Sequence, residues 1–312
     1  MALLPCRLAA QGAPATRIGW LTAQRAAGTT LFLEGLRGGL ASRGYVEGRD
    51  LAIESRFGDD VLERVPDLAA ELIRARVALI VAQGGAVPVL ARLNLPVPIV
   101  YAFSGDPVSA GLAESLSRPL GNMTGLTLMA AELNGKRLEL LAELVPDLRR
   151  VAVMGNPQHP GVHLERAANE QTAARLGLAT TYLPTRTQAD LGAAFAAVDA
   201  DRSQAISLLP DAFTIQNRES IVAFATSRRI PVISGWGIFA QSGALCTYGP
   251  RLLESFRRLA YFVDRILKGA KAADIPIEQP TQFELVLNLR TAQALGLAIP
   301  ASLVARADEL IE

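Results

Sequence analysis

The chain contains 312 residues, and 31 Lys and Arg against 30 Asp and Glu give a formal net charge of +1 at pH 7. Half of the residues are hydrophobic and a fifth are charged, which is typical of a globular protein and excludes a disordered one. No block of Lys and Arg is longer than a pair, so the basic stripe of a nucleic-acid-binding protein is missing. The length predicts two domains, each large enough for its own core.

Composition also argues against metal sites and membrane spans. The two cysteines, Cys6 and Cys246, have no metal-ligand spacing, and the chain has only two histidines, so the sequence does not predict a Cys/His zinc site. The most apolar stretch, residues 77–103, is interrupted by glycines, prolines and Arg92, so it predicts buried strands rather than a membrane helix. We therefore expect neither a metal nor a cofactor.

Residues 1–16 predict a residual export signal. They are apolar and rich in small residues, and the triplet Ala13–Ala15 resembles the end of a cleavage site, although a basic n-region is missing. The alternative is a frayed N-terminus. The first interpretation predicts an exported, periplasmic protein.

Short β-rich segments alternate with amphipathic helices along the rest of the chain. Strands are predicted at 18–21, 51–55, 78–82, 99–103, 151–154, 180–183, 205–209, 232–234 and 244–248. Helices are predicted at 31–42, after Pro66, and at 256–268. This alternation predicts an α/β fold, in which parallel sheets carry helices on both faces.

A coarse internal repeat predicts two similar lobes. Three pairs of segments match at an offset of about 130 residues, the size of one domain: 17–19 with 150–152, 78–80 with 205–207, and 95–99 with 229–233. We predict a first lobe at 17–124, a second lobe at 125–248, and segments at 249–312 that cross back between them. Several crossings would make a multi-strand hinge with a ligand cleft between two doubly wound lobes.

Ligands of open parallel sheets bind beyond the carboxyl ends of the strands, so the loops after the predicted strands indicate the cleft. The predicted ligand-binding residues are Thr22, Ala23, Gln24, Gln83, Gly84, Gly85, Phe103, Ser104 and Asp106 in the first lobe, and Asn156, Asp211, Phe213, Trp236 and Tyr248 in the second.

These loops combine glycines, hydroxyls and amides, a combination that suits an anionic group held by backbone N–H donors. Asp211 is predicted to receive an ammonium group, and the alternative is a helix N-cap. The aromatic residues could close over an apolar body, while core packing is the alternative for each of them. A capping role is favoured for Asp106, which precedes a proline.

Signatures of catalysis are missing from the sequence. No G-x-G-x-x-G follows the first strand, no G-x-S-x-G occurs, and residues 134–137 lack the first glycine and the Ser/Thr of a phosphate-binding loop. His159 and His163 are separated by Pro160-Gly161, which prevents the helix that would place both on one face, and a solvated loop is favoured for His159. The sequence therefore predicts binding without catalysis.

A series of motifs in a fixed order covers residues 17–312. They lie at 32–49, 105–108, 121–126, 135–141, 248–250, 266–270, 279–286 and 294–297. In these segments the chain resembles the ABC-transporter substrate-binding proteins of the tryptophan/tyrosine-type (TrpX-like) family.

The resemblance implies a type I periplasmic-binding-protein-like fold whose lobes close on a small solute and deliver it to a membrane permease. It implies an amino acid or related carboxylate, aromatic or branched, bound by a monomer through the loops at 83–85 and 104–106, Asn156 and Asp211. At Gln83-Gly84 the relatives often have Ala or Gly followed by Thr or Ser, so one hydroxyl is absent here.

Two alternatives stay open at this point. A small-molecule-sensing effector domain of a transcription regulator shares the two-lobe plan, but it would need a DNA-binding motif ahead of Arg17. A doubly wound enzyme acting on a small metabolite also shares the plan, but the catalytic residues that it needs are missing.

Overall fold

The computed structural model describes residues 16–128, 131–209 and 211–312. Nearly all of the predicted export segment, together with Cys6, therefore lies outside the described residues. The strands are β1 (Thr16–Thr22), β2 (Leu51–Phe57), β3 (Ile80–Gln83), β4 (Ile99–Phe103), β5 (Ala113–Ser115), β6 (Arg118–Pro119), β7 (Met123–Thr127), β8 (Arg150–Gly155), β9 (Ala179–Pro184), β10 (Ala205–Leu208), β11 (Val232–Ser234), β12 (Cys246–Pro250), β13 (Phe283–Asn288) and β14 (Glu309–Ile311).

Helices cover both faces of the sheets. They are α1 (Thr30–Ala41), α2 (Val65–Arg74), α3 (Ala86–Ala91), α4 (Glu132–Leu144), α5 (Val162–Leu176), α6 (Gln188–Asp201), α7 (Ala212–Gln216), α8 (Arg218–Ser227), α9 (Gly237–Gln241), α10 (Leu252–Leu267), α11 (Leu289–Leu295) and α12 (Ala301–Val304). In the part of the chain that the structure describes, no helix has the length and apolar character to span a bilayer.

The two sheets share one strand order. The first sheet has the order β2-β1-β3-β4-β7, and the second contains β9-β8-β10-β11-β12 followed by β13 and β14. The repeated segments of the sequence overlap the beginnings of β1 and β8, β3 and β10, and β4 and β11, which occupy equivalent places in the two sheets. The prediction of two similar doubly wound α/β lobes is confirmed.

Each predicted strand is present, but the sequence analysis missed β5, β6, β7, β13 and β14. The segment of β7 contains Gly125 and two threonines in place of a β-branched apolar run. A Cβ on Gly125 would overlap the backbone of Tyr101 in β4, so glycine allows the two strands to pair at this point. The sequence analysis expected parallel sheets. The strand β13 runs antiparallel to β12, so the second sheet is mixed.

The chain passes between the lobes after Thr127, after Pro250 and near Gln282. The predicted boundary at residue 124 falls inside β7, because that strand pairs with β4 through Thr127 and so belongs to the first sheet. After β12 the chain returns to the first lobe as α10, and it then enters the second sheet again as β13. At these crossings the N–H of Thr127 donates to the Glu278 carbonyl (3.0 Å) and the N–H of Arg251 donates to the Gln282 carbonyl (3.2 Å).

Glycines bring α1 and α10 into close contact. A Cβ on Gly39 would overlap the carbonyl oxygen of Arg257, and a Cβ on Gly35 would lie 3.0 Å from the Phe256 Cβ. This spacing lets the ring of Phe256 stack on Phe32, with ring centroids 4.5 Å apart. The contact anchors α10 in the core of the first lobe.

We predict that Gly39→Ala destabilises the protein by about 1–3 kcal/mol, because the added methyl group forces α1 and α10 apart. Gly38→Ala is the matched control, since Gly38 is exposed and its Cβ would lie 3.6 Å from the Arg257 side chain. Removing a helical glycine at this neighbouring site stabilises the helix by about 0.5–1 kcal/mol. Thermal unfolding checks both variants, and equal melting temperatures for the two would contradict the prediction.

Candidate functional site

A cavity of about 470 Å³ lies between the two lobes, where the carboxyl ends of both sheets face each other. Its volume falls within the range of small-molecule sites, which is about 300–1,000 Å³. The predicted residues that line it are Gln24, Gln83, Gly84, Gly85, Phe103 and Ser104 from the first lobe and Asn156, Asp211 and Trp236 from the second. These residues come together because each follows or ends a strand whose carboxyl end points into the cleft.

The predicted residues Thr22, Ala23 and Asp106 of the first lobe are not part of this lining. The Thr22 side chain is buried, and its Oγ1 accepts a hydrogen bond from the Gln24 N–H (3.2 Å). The carbonyl of Ala23 accepts from the Asp60 N–H (2.8 Å), which ties the loop after β1 to the loop after β2. The Asp106 carboxylate caps the turn that follows it, where it accepts a backbone N–H at 2.6 Å.

Phe213 and Tyr248 of the second lobe also lie outside the cavity lining. The ring of Phe213 packs against the apolar core. Tyr248 lies 6.5 Å from the ring of Phe283, and its carbonyl accepts a hydrogen bond from Arg137 Nε (2.8 Å). For these two aromatic residues, core packing was the alternative and is what the structure shows.

Other parts of the lining were not predicted, and they come from helices, from strand β4 and from loops. The apolar members are Phe32, Leu62, Pro88, Val89, Ala102, Leu128, Pro160, Ile215, Leu252 and Phe256, and the polar ones are Arg92, Gln158 and His159. The search for loops after predicted strands does not find helical residues such as Phe32 of α1 or Phe256 of α10. Their helical periodicity predicts only that they pack in the core. Arg92 could have been found from the sequence, because it is a charged residue within an otherwise apolar stretch.

His159 was expected in a solvated loop, but the structure places it in the cleft wall. Its Nε2 lies 3.0 Å from Ser104 Oγ, so this hydrogen bond joins the two lobes. Burial lowers the pKa of His159 to about 4, because the desolvated site penalises the imidazolium form. The imidazole is therefore neutral at pH 7.

Asp211 is a helix N-cap. Its Oδ1 accepts hydrogen bonds from the N–H groups of Phe213 (2.6 Å) and Thr214 (3.0 Å), and its Oδ2 accepts from the N–H of Asn156 (3.1 Å). The side chain is buried, and this burial raises the pKa of Asp211 to about 6 despite the three donors. The carboxylate therefore fixes the loops after β8 and β10 at the cleft.

Gln83 holds an unused acceptor in the cleft. Its side chain donates through Nε2 to Gln24 Oε1 at 3.0 Å, and only 7% of the residue is exposed. Its own Oε1 is buried and has no hydrogen-bond partner among the described residues. Buried acceptors in folded proteins are nearly always paired, so this oxygen indicates a place for a ligand donor.

Further contacts cross between the lobes. The Asp106 N–H donates to the Pro160 carbonyl (3.1 Å), and Gln216 Nε2 donates to Asp60 Oδ1 (2.7 Å). With the bond between Ser104 and His159, they join the rims of the cleft directly. The structure therefore shows the lobes in contact around the cavity.

One cation lines the cavity without an ion pair. Arg92 follows α3 at the cleft, and no described acidic group lies within salt-bridge distance of it. A guanidinium binds a carboxylate with two parallel hydrogen bonds.

The apolar lining, with the rings of Phe103 and Trp236, offers contact area for the rest of a solute. Across the described ranges, no group of three His, Cys, Asp or Glu side chains could hold a metal ion.

A family model and a curated relative both indicate a substrate-binding protein. A family model for the ABC transporter substrate binding protein matches residues 26–311. A tyrosine-binding protein from Clostridioides difficile is 21% identical over 259 residues, which cover 83% of this chain and 74% of that protein.

Solved structures share the fold at low sequence identity. An ABC domain from Streptococcus pneumoniae in complex with L-Trp superimposes with a TM-score of 0.87 at 22% identity, over 95% of this chain and 100% of that one. A ligand-free, open substrate-binding protein with adhesive properties from Clostridium difficile gives a TM-score of 0.72 at 19% identity, over 95% and 99% of the two chains.

The expected family is therefore confirmed by a match that spans nearly the whole chain. The two-lobe architecture and a cavity between the lobes agree with that assignment. The chain belongs to the ABC transporter substrate-binding proteins, a family that binds solutes and does not transform them.

Proposed function

We propose that this protein is the extracytoplasmic receptor of an ABC importer and that its cleft captures a small carboxylate with an apolar, aromatic body, an amino acid or a related acid. The observation that carries the proposal is the cavity itself, whose largely apolar lining also includes the exposed cation Arg92. A carboxylate would pair with the guanidinium while its side chain removes apolar surface from water. The tyrosine-binding relative and the L-Trp complex support a solute of this class.

Lobe closure gives such a receptor its affinity for the solute, and the closed form is what the membrane permease recognises. A solute that touches residues of both lobes stabilises the closed arrangement, because those contacts are not all available when the lobes separate. The hydrogen bond between Ser104 and His159 joins the two lobes, so separation of the lobes would break it. The closed monomer would then present the solute to a membrane permease.

A panel of solutes tests the proposal by thermal unfolding. A solute at about a thousand times its dissociation constant adds ~4 kcal/mol to the free energy of unfolding, which shifts the melting temperature by several degrees. We expect shifts with apolar carboxylates and none with sugars or nucleosides. Stabilisation by a sugar alone would overturn the proposed solute class.

The two tryptophans provide an optical test of where the solute binds. Trp236 lines the cleft, whereas Trp20 is fully buried in the core of the first lobe. We predict that a solute which raises the melting temperature also changes the intrinsic fluorescence, that Trp236→Phe abolishes this change, and that Trp20→Phe retains it. A fluorescence change that survives in Trp236→Phe would place the solute elsewhere.

Closure is predicted to weaken as the pH falls from about 6.5 to about 4. His159 has a pKa of about 4 in the closed cleft and an ordinary value of 6.5 when solvated, so the open state binds more protons in this window. Acid therefore favours the open form, and solute affinity at pH 5 should drop about twentyfold relative to pH 7.

The control is His159→Gln, which removes this titration. Asp211 and Glu165, whose pKa values burial raises to about 6 and about 7, titrate in both proteins, so their effect cancels in the comparison. Calorimetric titration at both pH values gives the affinities. The same loss of affinity in wild type and variant would show that His159 does not control closure.

A further inference from the structure

We propose that Asp60 of the first lobe and Gln216 of the second form a latch that adjusts how tightly the closed protein holds its solute and how slowly it releases it. The inference rests on the proposed function, because it concerns the closure that captures the solute. It goes beyond that function by assigning part of the closure to two side chains outside the lining of the solute cavity.

The latch joins the two lobes directly. Gln216 Nε2 donates a hydrogen bond to Asp60 Oδ1 at 2.7 Å, although 156 residues separate the two along the chain. Asp60 lies in the loop after β2 of the first sheet, and Gln216 ends α7, the helix that follows β10 of the second sheet. Separation of the lobes would break this bond, and the charge on its acceptor makes it stronger than a bond between two neutral groups.

The first lobe fixes its half of the latch. The Asp60 N–H donates to the Ala23 carbonyl at 2.8 Å, and Arg25 Nε lies 2.8 Å from Asp60 Oδ2. One carboxylate oxygen is therefore held within the first lobe, while the other is left for the second lobe. The backbone is constrained as well, since Asp59 and Asp60 have φ values of 55° and 68°, in the left-handed region that residues other than glycine seldom occupy.

Close packing of two loops supports this backbone. The Gly58 N–H donates to the Thr22 carbonyl at 2.9 Å, and a Cβ on Gly58 would lie 2.8 Å from the Ala23 carbonyl oxygen. Glycine therefore allows the loop after β2 to lie directly against the loop after β1. The loop after β1 also carries Gln24, which lines the solute cavity. The segment that supports the latch in the first lobe thus borders the space that the solute fills.

The second half of the latch lies on a short helix that also borders the cavity. Asp211, the N-cap of α7, lines the cavity and accepts a hydrogen bond from the Asn156 N–H at 3.1 Å. Ile215, the neighbour of Gln216 in α7, lines the cavity too. A solute that contacts these residues therefore touches the element that carries Gln216. Solute and latch stabilise the same closed arrangement, so each favours the other.

The latch is exposed to solvent, which limits its strength. Asp60 and Gln216 are both exposed, and interactions between exposed charged groups are weak and are screened by salt. The cavity therefore supplies most of the affinity, and the latch adjusts it. A charge placed at position 216 should strengthen or weaken the latch according to its sign.

Substitutions at position 216 test the latch by isothermal titration calorimetry with L-tryptophan, L-tyrosine and indole-3-propionate. We expect Gln216→Lys, which forms an ion pair with Asp60, to tighten binding about threefold, and Gln216→Glu, which brings two carboxylates together, to weaken it about threefold. The difference should appear in the dissociation rate measured by stopped-flow. At about 1 M NaCl the two variants should converge, because the screening length falls to about 3 Å.

Gln241 provides the matched control. It is an exposed glutamine at the end of α9 in the second lobe, and among the described residues no side-chain hydrogen bond joins it to the first lobe. Gln241→Lys and Gln241→Glu make the same changes in net charge, and they should bind the solute equally tightly. The double variant Asp60→Asn with Gln216→Glu pairs a donor with an acceptor in reversed order, and it should recover the affinity lost in Gln216→Glu.

The outcomes separate the latch from the proposed function. If any of the three aromatic carboxylates binds the wild-type protein, and Gln216→Lys and Gln216→Glu bind it equally tightly at low salt, the latch is overturned and the proposed function stands. The latch is also overturned if the two Gln241 variants differ as much as the two Gln216 variants. If none of the three compounds binds the wild-type protein with a dissociation constant below about 1 mM, the proposed function and the latch are both overturned.

Discussion

The close contact between α1 and α10 is the constraint on which the rest of the structure depends. Glycines at positions 35 and 39 remove the side chains that would hold these helices apart, so the segment that leaves the second sheet after β12 packs in the core of the first lobe. From there, Leu252 and Phe256 of α10 join Phe32 of α1 in the cavity wall. One helix pair thus fixes a crossing between the lobes and builds part of the solute site.

The cleft is organised by backbone donors and neutral side chains, with little free charge. The Asp211 carboxylate accepts hydrogen bonds from three backbone N–H groups, and burial keeps His159 neutral. Within the described lining, this arrangement leaves Arg92 as the unpaired charge and Gln83 Oε1 as the unpaired buried acceptor.

Much of the site could be predicted from the sequence, because parallel strands place their following loops at one edge. Gln83, Ser104, Asn156 and Trp236 were found in this way. The method fails where a side chain at a strand end binds the neighbouring backbone instead of facing the cleft, as Thr22 does. It also fails where an aromatic ring packs in the core, as Phe213 does. It also fails for helix faces, since nothing local distinguishes a core-facing residue from one that borders a cavity.

The sequence by itself determined the alternation of strands and helices, the repeat of two lobes and the family, because these depend on local periodicity and on motifs in a fixed order. Tertiary structure alone decided that β13 runs antiparallel to β12, that His159 lies beside Ser104 of the other lobe and that Asp211 accepts a hydrogen bond from the distant Asn156. Each of these outcomes depends on which groups from distant segments meet and on how much water they exclude. Such contacts have no signature in the residues taken one segment at a time.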